Sequence, residues 1–364
     1  MKALVFGTGL IGTSVGLALR ASGGQVWLRD SDEGTAKLAA ELGAGIVVPD
    51  LRDAKGIADV AVLAMPPAAV AASLAFAQEC AVADVYTDVA SVKALPVRQA
   101  RELGCDLRTF VPGHPLSGRE RHGPAAARAD LFLGRTWALC PLAETSPEAV
   151  TAVTSLVVAC GADPVTTDPE THDRWVALVS HVPHLVASAM AARLASDSVP
   201  AEALKLAGQG LRDVTRVAAG DTSLWTQILS ANAGPVGDLT SAVAADLADA
   251  ARALAGDVSA ETSRSDAGDV TGLLERGRDG VARIPGKHGG QPRNFTVVQV
   301  VIADQPGELA RLFNAAGAAK VNIEDVRIEH SPGLPVGVAE LSVRPDQAAA
   351  LLEAMEAGGW PVRR

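Results

Sequence analysis

Three stretches of this 364-residue sequence carry side chains of the kinds that move protons and grip anions. The first is Asp88-Val89-Ala90-Ser91-Val92-Lys93. The second is Gly113-His114-Pro115-Leu116-Ser117-Gly118-Arg119-Glu120. The third is spread over His172-Asp173, Ser180-His181-Val182-Pro183-His184 and Arg212-Asp213-Val214-Thr215-Arg216. His114 sits in a glycine- and proline-framed loop at a predicted strand end. An imidazole that titrates near neutral pH is the usual acceptor for a hydroxyl proton. Arg216 offers a planar guanidinium suited to a carboxylate, and Asp213, three residues earlier on the same helix face, can hold it in place or form a solvated pair with it. His172, His181 and His184 share a predicted helix, where they read either as substrate contacts or as satisfied core residues. No carboxylate completes an H-E-x-x-H pattern among them, so no metal is expected. Pro183 removes the amide that would bond to the Val179 carbonyl and predicts a kink between His181 and His184.

A second kind of chemistry is written at the N-terminus. Gly7-Thr8-Gly9-Leu10-Ile11-Gly12 follows an apolar strand and opens a helix, the arrangement that binds a dinucleotide. Gly7 serves a tight turn, Gly9 leaves room for the pyrophosphate and Gly12 permits close helix–strand contact. The pyrophosphate would rest on free N–H groups at the helix start, around Leu10 and Ile11. Asp30 closes the second strand, where a carboxylate binds a ribose 2′-hydroxyl and repels a 2′-phosphate; this favours NAD over NADP, with Arg29 softening the preference. Met65 and Pro66, in Ala64-Met65-Pro66-Pro67, end another strand and either cover the nucleotide or form an ordinary proline turn. With a dinucleotide present, His114 reads as the base for hydride transfer from a carbinol.

The elements that must position these groups follow from the pattern. Strand candidates Lys2–Phe6, 25–28, 60–64, 85–88, 108–111 and 137–140 alternate with Ala-rich helical segments, and 164–167 adds an edge strand. This predicts an α/β fold, a Rossmann-type dinucleotide-binding domain with a parallel sheet over residues 1–167. Residues 168–256 read as an all-helical substrate and dimerisation domain. It starts at Asp168-Pro169-Glu170, a cap, a first-turn proline and an acid at the positive dipole end, with further helices at 200–219 and 222–255. Residues 257–294, rich in Gly, Ser, Asp and Arg, read as a linker. Residues 295–364 have the order strand, helix, strand, strand, helix, strand, the ferredoxin-like βαββαβ motif.

Composition bounds the partners. The net charge is -10 and no run of Lys or Arg occurs, which argues against nucleic acid or an anionic membrane. Only 3% of residues are aromatic against 48% hydrophobic, so the cores must be built from Ala, Val and Leu. The four cysteines show no C-x-x-C spacing, so neither zinc nor a disulfide framework is expected. The N-terminus begins directly with a strand rather than a signal peptide, and no apolar stretch free of charges and turn residues reads as a membrane span. A cytoplasmic enzyme is expected.

Taken together and in order, GTGLIG, DVASVK, GHPLSGRE, THD, SHVPH and RDVTRVAAGDTSLW resemble the prephenate/arogenate dehydrogenase family of tyrosine biosynthesis over nearly the whole chain. The resemblance implies NAD-dependent oxidative decarboxylation of prephenate or arogenate, or of an amino analogue, by a homodimer. It implies that His114 polarises or deprotonates the C4 hydroxyl, that Ser91 orients His114, the hydroxyl or the nicotinamide, and that Arg216 grips a substrate carboxylate. His184 and His172 would line the substrate site, Trp225 would wall it, and Glu120 and Asp213 would form an ionic gate with Arg216. Arg119 stands where many relatives have Thr; it either supplies a second cation or pairs with Glu120. The C-terminal unit resembles an ACT domain through Asp304-Gln305-Pro306-Gly307-Glu308-Leu309 and Val321-Asn322-Ile323-Glu324-Asp325. That implies an amino-acid effector, tyrosine or phenylalanine, at a dimer seam near Gly307, Asn322 and Ile323. A non-catalytic nucleotide-bound sensor is the alternative of a different class, disfavoured by His114, Ser91 and Arg216 occurring together. A generic 3-hydroxyacid dehydrogenase would need a helical lysine that 168–196 lacks.

Overall fold

A computed structural model describes residues 1–117, 123–255, 263–284, 295–330 and 335–363, with side chains from 270 onward in the third segment. It divides into two compact units, Met1–Ala244 and Ala245–Arg364.

Unit 1 is built on six parallel strands: β1 (Lys2–Phe6), β2 (Gln25–Arg29), β3 (Ile46–Val47), β4 (Ala58–Leu63), β5 (Ala83–Asp88) and β6 (Phe110–Val111). Their order, β3-β2-β1-β4-β5-β6, is that of a dinucleotide-binding sheet. Crossover helices α1 (Leu10–Ala21), α2 (Glu33–Glu41), α3 (Pro67–Glu79) and α4 (Ala94–Glu102) connect them. The strands are near-continuous apolar runs because both faces are covered. Val5, Val26 and Val62 pack on one side with α1, and Leu4, Ala61 and Leu63 on the other with α3. The two-residue β3 carries too short a signal to be read from sequence.

A second sheet joins β7 (Gly113–Pro115), β8 (Thr136–Leu139) and β9 (Asp163–Thr166), with α5 (Pro147–Ala159) between the last two. The sequence pattern does not show β7: glycine and proline flank a single histidine, and only its antiparallel pairing with β8 makes it a strand.

The helical part of unit 1 starts with α6 (Pro169–Val176), whose Asp168 side chain accepts the Thr171 N–H at 2.8 Å. Such a cap contributes about 1 kcal/mol. A π-turn, Ala177–His181, follows, then α7 (Val182–Leu194). The predicted proline kink is therefore absorbed differently. The Val182 N–H reaches back to the Ala177 carbonyl, five residues away, and Pro183 falls in the first turn of α7, where no amide is needed. By length and composition alone the run Pro169–Leu194 is long and apolar enough to cross a membrane. Yet His172, Asp173, His181 and His184 on it are buried against the rest of the unit.

The helix expected at 200–219 is broken into α8 (Ala201–Leu204), α9 (Gln209–Thr215) and a 3-10 turn, Arg216–Ala219, because Gly208 interrupts it. The helix expected at 222–255 is split at Asn232 into α10 (Thr222–Ala231) and α11 (Ala233–Ala255), which runs across the unit boundary.

In unit 2 the expected linker contains a helix, α12 (Ser263–Ala282). Its Gly, Ser and Asp content masked a helical apolar spacing at Val270, Leu273, Leu274 and Val281, and Arg276 pairs with Asp246 of α11 at 2.9 Å. The remainder is β10 (Thr296–Ala303), α13 (Glu308–Ala318), β11 (Ile323–His330), β12 (Val336–Val343), α14 (Ala348–Ala357) and β13 (Val362–Arg363). The sheet order β11-β12-β10-β13 is antiparallel throughout, with Val298, Val300, Leu312, Leu341 and Leu351 in one core. This is the ferredoxin-like βαββαβ arrangement.

Candidate active site

Strand register sets one edge of the large sheet. Phe6 pairs with Arg29 and Leu63, and Leu63 pairs with Asp88. Gly7, Asp30, Ala64 and Val89 therefore leave the sheet side by side at its carboxyl edge, where ligands of such folds bind. Thr87 pairs with Val111, which brings β7 and His114 to the same edge.

The three glycines differ as their assigned tasks require. Gly7 has φ +102, and a Cβ there would lie 2.3 Å from the Ala64 carbonyl oxygen. A Cβ on Gly12 would lie 1.9 Å from the Gly7 oxygen, whereas nothing lies within 4 Å of one on Gly9. Gly9 is also the uncapped start of α1. Open space thus faces free amides of Leu10 and Ile11, the environment a pyrophosphate needs. Asp30 is fixed beside this loop: its Oδ2 accepts the Thr8 amide at 2.6 Å and the Thr8 hydroxyl at 3.0 Å. Its Oδ1 accepts the Asp32 amide at 3.0 Å. The Arg29 guanidinium turns back onto the Asp30 backbone carbonyl. Met65 and Pro66 stand just ahead of α3, at the same edge.

His114, on β7, is partly buried, and its Nδ1 lies 3.0 Å from His172 Nε2. His172 Nδ1 lies 2.8 Å from Asp173 Oδ1. Asp173 Oδ1 also accepts the Lys93 amide at 2.8 Å, and Oδ2 the Ala94 amide at 2.9 Å. Burial, then the neighbouring His172, Lys93 and His181, hold the His114 imidazolium well below the ordinary histidine range. The ring is thereby kept neutral and ready to accept a proton. Lys93 is wholly buried; its Nζ pairs with the equally buried Asp88 carboxylate and donates to the Gly113 carbonyl at 2.6 Å. Asp88 in turn accepts the Ala90 and Gly113 amides, each at 3.1 Å. This ion pair clamps the Ser91 loop to the strand that carries His114.

The other histidines lie deeper along the helical run. Asn232, buried at the α10–α11 break, donates to the Asp173 carbonyl at 2.8 Å, and its Nδ2 lies 3.1 Å from His181 Nδ1. Burial pushes His181 down to about 4 and lowers His184 as well. His184 stacks on Trp225, with ring centroids 3.6 Å apart and planes 10° from parallel. Gly220 abuts the stack: a Cβ there would sit 2.6 Å from Trp225 Nε1 and 3.1 Å from His184 Cε1. Arg216 is exposed at the start of the 3-10 turn packed on α7. Asp213 is exposed too, and its Oδ1 accepts from Gln209 Nε2 at 2.8 Å. Arg119 and Glu120 lie outside the described residues.

The structure brings His114, His172 and the Ser91 loop together at the glycine-rich edge and pairs His184 with Trp225. Sequence reasoning did not single out Asn232 or Gly220, and it placed Lys93, Asp88 and Asp173 within polar segments without assigning them a part. Lys93 and Asp88 stood there as opposite charges in a short segment between apolar residues, and Asp173 as the neighbour of His172. Among the described residues no group of three or more His, Cys, Asp or Glu could hold a metal.

The proposed effector residues do not converge within one chain. Thr296, at the start of β10, pairs with Val343, and Val343 with Ile323. Asn322 and Ile323 are therefore at one end of the sheet, while Gly307 follows the other end of β10 with φ +87.

Comparison with known proteins bears on these features. Residues 15–166 match the family described as prephenate dehydrogenase, nucleotide-binding domain, and residues 168–264 the one described as prephenate dehydrogenase, dimerization domain. A probable prephenate dehydrogenase, NovF, from Streptomyces niveus is 39% identical over 99% of this chain and 98% of its own. Prephenate dehydrogenase from Bacillus subtilis (strain 168) is 26% identical over 94% of this chain and 92% of its own. The crystal structure of Synechocystis arogenate dehydrogenase is 25% identical, with a TM-score of 0.64, covering 77% of this chain and 100% of that one.

Proposed function

The chain belongs to the prephenate dehydrogenase family, and from that membership we propose that it catalyses the NAD-dependent oxidative decarboxylation of prephenate to 4-hydroxyphenylpyruvate. The observation that carries this reading is His114, held neutral at the sheet edge where the glycine-rich loop opens. NAD bound at that loop would supply the acceptor for the hydride that leaves C4 of the substrate ring. The residues present fit it: Gly9 leaves the pyrophosphate its space, and Asp30 offers a carboxylate to the ribose hydroxyls.

In this reading His114 takes the C4 hydroxyl proton as the carbinol becomes a ketone. The bond from the ring to its carboxylate then breaks. CO2 departs, its bonding electrons enter the ring, and the resulting phenolate recovers the proton from His114. Ser91, on the loop clamped by Asp88 and Lys93, orients the hydroxyl or the nicotinamide. Arg216 grips a substrate carboxylate, His172 and the stacked pair His184–Trp225 line the substrate cavity, Glu120 and Asp213 form an ionic gate with Arg216, and Arg119 supplies a second cation or pairs with Glu120. Burial lowers His181 and His184, so these two donate or accept hydrogen bonds without adding charge.

Trp175, Leu178 and Val179 stand out from the helical run with more than half their surface exposed. Such a face suits a second copy, so a cytoplasmic homodimer is part of the proposal. Unit 2 is proposed to be an ACT domain for tyrosine or phenylalanine, supported by its βαββαβ order and by Gly307 ahead of α13. Because Gly307 and the pair Asn322–Ile323 lie at opposite ends of one sheet, a shared effector site needs two copies.

The test is NADH formation with prephenate and with arogenate, run on the native chain and on His114→Asn. Turnover of prephenate, reduced by about 10²–10⁴-fold in the variant while NAD still binds, is the expected result. Turnover of arogenate alone would move the substrate to the amino acid. Near-normal turnover in the variant would remove His114 as the base.

A further inference from the structure

We propose that His172 and Asp173 are a positioning pair that locks His114 in one tautomer, its Nδ1 protonated and its Nε2 free to accept. The proposal rests on the reading of His114 as the base and reassigns His172 from lining the substrate to orienting the catalytic ring. The direction of every hydrogen bond follows from one end of the chain. Both oxygens of the buried Asp173 carboxylate accept α4 amides, from Lys93 at 2.8 Å and from Ala94 at 2.9 Å. The carboxylate is therefore an acceptor toward His172 as well, and His172 Nδ1, at 2.8 Å, must donate to it. A neutral imidazole with Nδ1 protonated has an acceptor at Nε2. That atom lies 3.0 Å from His114 Nδ1, which must in turn donate. The His114 lone pair is left on Nε2.

The same carboxylate does a second task. By taking the first amides of α4 it fixes the end of the loop that carries Ser91, so the base and the loop beside it share one anchor. Asn232, donating to the Asp173 carbonyl at 2.8 Å, holds that residue from the opposite side. The charged and titratable groups that face His114 are His172 from α6, Lys93 at the start of α4 and His181 from the π-turn.

Asp173→Asn, His172→Gln and His172→Leu are measured by steady-state kinetics with prephenate and NAD across pH, beside native protein and His114→Asn. The Asn variant is expected to lose about a hundredfold or more in kcat with KM nearly unchanged. Its acid limb should move to lower pH, since the charge that steadies a protonated His114 is gone. A purely structural role would leave that limb in place. The Gln variant keeps an acceptor for His114 Nδ1 and should retain at least tenfold more activity than the Leu variant. Native-like kcat and an unmoved limb in Asp173→Asn overturn the proposal. If that variant fails to fold, equal activities of the Gln and Leu variants overturn it instead. Inactivity of His114→Asn alongside either result shows that only the positioning pair has failed, not the base.

Discussion

Gly220→Ala tests the substrate wall with the smallest change that geometry allows. Gly220 has φ −65 and ψ 161, a backbone that any residue adopts, so alanine meets no torsional strain. What it meets is the stack: its Cβ would lie 2.6 Å from Trp225 Nε1, 2.9 Å from Trp225 Cδ1 and 3.1 Å from His184 Cε1. Carbon contacts are comfortable only beyond about 3.5 Å, so the indole must move by roughly 1 Å. Overpacking of this kind costs about 1–3 kcal/mol. A displacement near 1 Å at a substrate-positioning group costs on the order of 10²-fold in turnover. The expected outcome is a ten- to hundredfold fall in kcat/KM for prephenate, an NAD Kd unchanged, and Trp fluorescence altered. A kcat/KM within twofold of native would refute the placement of His184 and Trp225 against substrate, because the overlap cannot be avoided without moving them.

Other outcomes follow from the same geometry. Burial and the neighbouring His172, Lys93 and His181 disfavour the imidazolium of His114, so the acid limb of kcat/KM should fall below pH 6.5; a limb at or above that value would contradict a neutral, buried base. Lys93→Met strands the buried Asp88 carboxylate and should cost about 3–5 kcal/mol, read as a Tm lowered by on the order of 10 °C. A native Tm would mean that the pair is not sealed from solvent. Asp30→Ser should weaken NAD and improve NADP, so the ratio of their kcat/KM values should shift by at least tenfold; an unchanged ratio would place cofactor choice elsewhere. Removal of residues 290–364 should abolish inhibition by tyrosine or phenylalanine, and inhibition that survived would have to act at the catalytic site.

Much of this arrangement was legible in the sequence because local rules sufficed. Gly7 and Gly12 answer steric demands seen in the structure while Gly9 leaves open space, and strands such as Lys2–Phe6 and Ala58–Leu63 are near-continuous apolar runs. His114 was visible as an imidazole between Gly113 and Pro115. What could not be read was anything requiring distant segments to meet. Asp173 looks like one more helix charge until its carboxylate is found on amides some 80 residues away. Lys93 resembles a surface lysine until Asp88 and the Gly113 carbonyl enclose it. The helix within the supposed linker was hidden because four glycines outweighed its apolar spacing.

The π-turn at Ala177–His181 gives the helical run one place where its length can change. An α-helix advances about 100° per residue, and the wide turn holds one residue more than regular helix would over the same advance. Removing one residue from it would restore ordinary winding and leave everything beyond near its present phase, with His184 still facing Trp225 and His172 beside His114. The same deletion in α6, downstream of His172, removes no surplus residue and would turn the rest of the run by about 100°. A deletion within 177–181 should thus be tolerated far better than one in α6, which should uncouple the two halves of the site in one step.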